Sequence, residues 1–465
     1  MLPVTPYLVF LLGAAAANVA QSPHASLPAP GATPLAIDFG EDPVLALARQ
    51  QGDNRAFREA VAAAVDRNPA TLESNALRRE ALEGLSQARA ARYPSVDINL
   101  STYRVLSREF SNDPQNIIER SRPRQRTDAL LSVREGLIDF GGAENRIAAA
   151  GARLRAAGAD LEASADSVAL DTIAAWYDVF GYRALVALSE AFASAEDELR
   201  SDIRRSIRQG VSAEADIARV DSEIARVQTR LARYRRQLAN AEARFRAATG
   251  TAAPPRLARA PIPAGLPLGQ DAAASAAGSL PAVRSAEANA AAARGDANAA
   301  RADQFPQISA AIDAGRYGVF ENPRDYDVRG TITLRQRLFG GIDARARQYG
   351  AAADAARARA ERAREQAARD AEIARADVVA LAEQLEALTN AYRASRQSRD
   401  VIVERFRASR GTLFDVLAAE ETYFDSASSF IEGLTQLDAA RYILLSRTGN
   451  LLTQLGIDPA QLGRH

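Results

Sequence analysis

The side chains able to do chemistry are few in this sequence and poorly placed for it. Only two His occur, His24 and His465, both in stretches where chains are usually loosely held. Imidazole acid–base catalysis and His metal sites are therefore not expected. No Cys appears among the 465 residues, which removes thiol nucleophiles, thiolate metal ligands and disulfides. All 58 basic residues are Arg. Without Lys there is no P-loop lysine, no kinase-type phosphate-binding lysine and no Schiff base. Carboxylates remain, but no Asp/Glu pair stands out. Basic and acidic residues are equal in number, so nothing suggests nucleic acid as a partner. The chain reads as a protein without catalytic residues, cofactor or metal, and its elements have to carry the function.

Those elements are duplicated. Asp139-Phe140-Gly141-Gly142 recurs as Leu338-Phe339-Gly340-Gly341, a shift of 340 − 141 = 199 residues. The same shift carries Asp216-Ile217 onto Asp415-Val416 and Thr249-Gly250 onto Thr448-Gly449. One register held over such a distance marks a repeat with equal helical parts. Tyr93-Pro94 matches Phe305-Pro306 with a shift of 212, so the first copy carries 212 − 199 = 13 extra residues before its Gly-Gly.

Within each copy the periodicity changes. Phe57, Val61 and Val65 step by four, Asn68-Pro69 breaks that helix, and a second helix reaches about Arg92. After Pro94 the period is two: Val96, Ile98 and Leu100 alternate with Asp97, Asn99 and Ser101, then Leu131, Val133 and Leu137 with Ser132, Arg134 and Gly136. In copy two, Ile308, Ala310 and Ile312 alternate with Ser309 and Asp313. Val328, Ile332 and Leu334 alternate there with Arg329, Thr331, Thr333 and Arg335. Four strands of about ten residues, apolar on one face and polar on the other, fit a barrel wall between lipid and a wet lumen. A soluble hairpin with one buried face has the same alternation. Its recurrence at the same place in both copies favours the membrane.

Long helices follow. Gly142 to Gln209 contains no Pro over 68 residues, with Ile147, Leu154, Leu161 and Val168 recurring every seven. Ile217, Val220, Ile224, Val227, Leu231, Tyr234, Leu238, Ala241 and Phe245 then step three and four without a slip, a sustained heptad. Copy two repeats it with smaller residues, from Val416, Ala419 and Tyr423 to Gly433 and Leu444. The charged residues between are expected to be mostly solvated. Trp176 is expected to pack within the coiled coil. Four strands cannot close a barrel, and open edges cannot lie in lipid. Several chains must combine, two giving 8 strands or three giving 12.

The sequence resembles the TolC family of outer-membrane efflux and type I secretion channels. The resemblance rests on Arg67-Asn68-Pro69, Ala91-Arg92-Tyr93-Pro94, Phe140-Gly141-Gly142 and Ala175-Trp176-Tyr177. It extends to Arg208-Gln209-Gly210-Val211-Ser212 leading to Asp216, and to Gly411-Thr412-Leu413-Phe414-Asp415-Val416-Leu417. It covers about residues 45 to 456. It implies a mainly α chain with a membrane β-barrel: a homotrimer with a 12-strand barrel on a 12-helix coiled-coil tunnel, in the outer membrane with the tunnel in the periplasm. It also implies a periplasmic adaptor and an inner-membrane transporter of the ABC or RND type as partners. Asp415, with Asp216 as its copy-one counterpart, matches the acidic position that rings the pore entrance in that family. Gly210, Val211, Ser212, Ser409, Arg410 and Gly411 match the tips that meet the adaptor. The second acidic position is Ala418 here and the tip Gly of copy two is Ser409, so the family's closed-state lock does not transfer. Thr412-Leu413-Phe414-Asp415 is equally a helix capping box. A periplasmic adaptor or a structural coiled-coil protein of an export complex is the alternative reading, and it accounts less well for the duplication. Proteins and small molecules are both open as cargo, with a slight lean to proteins from the copy-two tip.

The expected organisation is a signal peptide over 1–20, lacking the usual basic start, and a mobile lead-in over 21–50. Periplasmic helices over 51–93, a barrel hairpin over 94–140 and a helical hairpin over 141–250 follow. A Pro/Ala-rich linker over 251–280 leads to a helix over 281–305, a barrel hairpin over 306–340, a helical hairpin over 341–456 and a tail over 457–465.

Overall fold

The computed structural model describes residues 27–31, 34, 36–49, 54–109, 115, 117–209, 213–269, 271–321, 325–458 and 461. The signal-peptide expectation over 1–20 lies outside them. In chain order the elements are α1 (Pro43–Arg49), α2 (Asn54–Arg67), α3 (Pro69–Ala90), β1 (Ser95–Arg104), α4 (Ile117–Ser121), β2 (Gln125–Ile138), α5 (Gly142–Arg208) and α6 (Glu214–Thr249). Copy two continues with α7 (Ala272–Ala277), α8 (Pro281–Ala302), β3 (Gln307–Tyr317), β4 (Asp325–Arg335), α9 (Ile342–Arg407), α10 (Leu413–Arg447) and α11 (Leu451–Leu455). Two compact units divide the chain: residues 1–57, 174–261 and 381–437 in one, and 58–173, 262–380 and 438–465 in the other. The long helices α5, α9 and α10 contribute to both.

The second unit holds the sheet, antiparallel in the order β1-β2-β3-β4. Its register carries the sequence alternation across the four strands as far as a bulge between Gly136 and Ile138, beyond which Ile138, and not the expected Leu137, pairs with Ile308. Ile98 pairs with Leu131, Val133 with Ile312, and Ala310 with Ile332, which puts these apolar residues on one face, shared by Glu135 opposite Ala310. On the other face Asp97 pairs with Ser132, Ser132 with Asp313, and Asp313 with Arg329. The Ser132 hydroxyl donates to the Asp313 carboxylate at 2.6 Å. β1 and β4 each keep one unpaired edge within the chain.

Asn68-Pro69 does not simply interrupt a helix. Asn68 caps α3, accepting from the Ala70 N–H at 2.9 Å, with Pro69 at the first helical position, where its missing N–H costs nothing. In the same unit α8 lies against α5 through small residues. Gly295 is so close that a Cβ there would come within 2.9 Å of the Asn145 carbonyl and 3.0 Å of the Ala149 Cβ. This accounts for one departure from the heptad reading. Ala149, Ala152, Ala156 and Ala159 are the buried stripe of α5, whereas Ile147 and Leu154 are half-buried. The close approach selects methyl-sized side chains.

In the first unit most heptad positions of α6 and α10 are buried: Val220, Ile224, Val227, Tyr234, Ala241 and Phe245, then Val416, Ala419, Tyr423, Phe430, Leu437 and Leu444; Ile217, Leu231 and Leu238 are half-buried, and Leu444 belongs to the part of α10 in the second unit. Trp176 is buried against Phe57, edge to face at 5.2 Å, and Phe245 at 5.9 Å, and its indole N–H donates to the Ala258 carbonyl at 3.0 Å. The beginning of the expected linker is thus pinned, and its later part contains α7. The expected lead-in gives way to folded structure at Asp42 and α1. Asp42 accepts from the N–H groups of Val44 and Leu45, both at 2.9 Å, and Val44, Leu45 and Leu47 are buried. A capping carboxylate ahead of five apolar residues in seven outweighs the surrounding Pro and Ala.

Candidate functional site: the sheet faces and the helical tips

Each helical hairpin turns over at a tip. The second is fully described. Ser409 donates its N–H to Phe406 at 2.9 Å and Arg410 to Arg405 at 2.8 Å, the two bonds of a Schellman ending. That motif needs left-handed backbone at Ser409, whose φ is 56°, the conformation that favours glycine. Gly411 then passes within van der Waals contact of the α9 backbone, where a Cβ would lie 3.4 Å from the Phe406 nitrogen. At the first tip, Gly210, Val211 and Ser212 lie outside the described residues.

Asp216 and Asp415 hold the same place, the third residue of the returning helix. Asp415 accepts from the Thr412 N–H at 3.2 Å and the Thr412 hydroxyl at 2.8 Å, and the same hydroxyl faces the Asp415 N–H at 3.2 Å. The capping reading of Thr412-Leu413-Phe414-Asp415 is therefore realised. The Thr412 hydrogen bonds hold the exposed Asp415 carboxyl below its ordinary range, with a smaller contribution from Arg405. Asp216 makes half of this arrangement, accepting from the Ala213 N–H at 3.2 Å, because Ala213 has no hydroxyl to return the bond.

The two hairpins meet near their tips. Ile203, Val220, Ile224 and Leu413 form one buried cluster, flanked by Leu199, Phe406 and Leu417. Phe192 stacks on Phe424 at 4.8 Å. Arg230 bridges to Glu421 at 3.0 Å and Asp425 at 2.8 Å. Some charged residues expected to be solvated are buried here: Glu196, Glu223, Arg399, Asp400 and Glu420. Asp42 is buried too, bonded to the Tyr392 hydroxyl at 2.9 Å and paired with Arg396. A heptad reading assigns burial to the seam of one hairpin and is blind to the flanking positions that a second hairpin covers. The signal open to sequence was a carboxylate beside the seam in each hairpin.

At the sheet, Val96, Ile98, Leu100, Val328, Ile332 and Leu334 are all strongly exposed, Ile332 at 76%. An apolar face this extensive and uncovered marks a surface for lipid or another chain. Among the described residues no helix is long and apolar enough to cross a membrane, and none of their His, Asp and Glu form a group of three or more suited to a metal ion.

A duplicated chain that joins an amphipathic antiparallel sheet to paired coiled-coil hairpins defines a class of outer-membrane channel protein, and comparison with known proteins agrees. The family model described as "Outer membrane efflux protein" matches residues 60–251 and 273–450, one segment in each copy. The chain belongs to this family. It is an outer-membrane efflux channel with a periplasmic helical tunnel, and not an enzyme. Among solved structures, the outer-membrane channel OprN superposes with a TM-score of 0.76 at 21% identity, over 88% of this chain and 93% of that one. The CmeC outer membrane channel of Campylobacter jejuni gives 0.74 at 14%, over 93% and 95%. The outer membrane protein VceC of Vibrio cholerae gives 0.73 at 16%, over 87% and 97%. No curated protein matches the sequence.

Proposed function

We propose that three copies close one 12-strand barrel in the outer membrane, above a tunnel of 12 long helices, and that the tips dock a periplasmic adaptor coupled to an inner-membrane transporter. The observation that carries this reading is the four-stranded sheet with one mostly apolar, uncovered face and both outer edges unpaired. Such edges cannot be left in hydrocarbon, where each unmet backbone group costs several kcal/mol, roughly, so β4 of one copy pairs with β1 of the next. The same sheet argues against a periplasmic adaptor, which has no use for an exposed apolar wall. Mass measurement in detergent tests the proposal, with three chains expected. A monodisperse monomer retaining its full strand content would overturn it.

The family's description as efflux proteins favours small molecules over the secreted proteins suggested by the copy-two tip. Deleting the gene should raise sensitivity to toxic small molecules and leave the secreted proteome unchanged. The opposite pattern would restore the protein-secretion reading. Asp415 and Asp216, three of each in the trimer, are proposed to line the entrance, and Ser409, Arg410 and Gly411 with Gly210, Val211 and Ser212 to form the adaptor surface.

A further inference from the structure

Glu196 of α5, Glu223 of α6 and Glu420 of α10 come from both hairpins and are 1%, 1% and 9% exposed. Each leaves a buried oxygen without a hydrogen-bond partner among the described residues: Oε2 of Glu196, Oε1 of Glu223 and Oε2 of Glu420. Glu223 is paired with Arg226. Glu420 lies 3.5 Å from Arg399, which is also held by Asp400 at 2.7 Å. Glu196 has no ion pair among the described residues. The charged groups acting on it are Glu420 from α10, Glu223 and Arg226 from α6, and Asp197 from its own helix. Arg399 and Asp400 of α9 are engaged with each other beside Glu420.

Three carboxyls at one dry junction cannot all ionise at low cost. Burial, then the charges of Glu420 and Glu223, push Glu196 up to about 8. Glu223 and Glu420 are also raised, first by burial, against the pull of Arg226 and Arg399. A cleft of about 360 Å³, lined by Glu196, Glu420, Arg399, Leu199, Phe406 and Pro28 among others, brings water to the rim of the cluster.

We infer that Glu196, Glu223 and Glu420 form a proton-operated latch between the two helical hairpins, closed while Glu196 keeps its proton and released when it ionises. The inference rests on the channel reading and adds a control to it. When the hairpins part, water reaches Glu196 and its carboxyl returns toward the ordinary value of 4.5. The packed arrangement thus binds the proton more tightly. Its advantage is complete below that ordinary value, falls by up to about tenfold per pH unit per chain as pH rises, and is exhausted near the value that Glu196 has when packed.

Planar-bilayer recordings of the purified full chain test this. In the wild type the ratio of open to closed time should climb between about pH 5 and about pH 8 and then level off. Glu196→Gln, which keeps the shape without the charge, should conduct with a ratio that rises less with pH and levels off at a lower pH, because only Glu223 and Glu420 still titrate there. Glu420→Gln removes one repelling charge and should make the rise level off at a lower pH. The latch is overturned by a conducting wild type with a flat ratio, or by Glu196→Gln keeping the wild-type profile. If Glu196→Gln does not assemble, an unshifted Glu420→Gln profile overturns it equally. A wild type silent at every pH would fail the channel reading itself, and the latch with it.

Discussion

Ser409 occupies left-handed backbone that the Schellman ending of α9 imposes. A side chain there costs on the order of 1 kcal/mol. Ser409→Gly should therefore stabilise the second tip by up to about 1 kcal/mol, read as a higher denaturant midpoint with an unchanged slope. An unchanged or lower midpoint would mean that the hydroxyl offsets the strain. Asp415 caps α10 and is proposed to line the entrance, two roles that one substitution separates. Its carboxylate is committed to Thr412, which keeps it ionised, and the proposed trimer would repeat that charge around one axis. Asp415→Asn should reduce cation selectivity and weaken block by trivalent cations in planar bilayers, with little loss of trimer stability. Unchanged selectivity in this variant and in the Asp216/Asp415 double variant would leave only the cap. The box itself was readable from Thr412-Leu413-Phe414-Asp415, because its residues are neighbours in sequence. The Glu196–Glu223–Glu420 junction was not, because its members lie on separate elements and meet only through the packing of one hairpin on the other.

At the scale of the elements, β4 offers the sharpest contrast. Ile332 lies on the mostly apolar face and Arg335 on the opposite one. Ile332→Arg should cost roughly 2–4 kcal/mol if its site is near the midplane and should impair insertion, whereas Arg335→Ala should be tolerated. Comparable yields of heat-modifiable trimer from both variants would take the strand out of the membrane. The strands, the long helices and the heptads were legible because period-two and period-seven patterns survive in a single sequence. The order β1-β2-β3-β4, which joins the copies through β2 and β3, was not, since nothing local specifies which hairpin edge meets which. The alanine stripe of α5 was equally hidden. Ala149 looks neutral until Gly295 brings α8 against it, and larger residues nearby drew the heptad away. Asp42 and α1 were obscured by the composition of their surroundings.

For the whole molecule, the proposed assembly makes the tips the one place where a bulky insertion should spare the trimer and abolish transport. An insertion after Gly210 should give trimers of normal heat stability in a strain that no longer exports. Normal export would remove that tip from the docking surface. The pairing of β2 with β3 has a consequence of another kind. Ser132 and Asp313, bonded across those strands, are 181 residues apart, with the whole first helical hairpin between them. A contact of such long range closes slowly, because the loop entropy is spent before the sheet returns any stability. Each β-hairpin must wait for the other, its apolar face bare in the meantime. The newly exported chain therefore passes through a sticky, half-finished stage that only a holding chaperone or rapid delivery to the bilayer can shelter, and β-sheet formation is the step at which biogenesis is most exposed to aggregation.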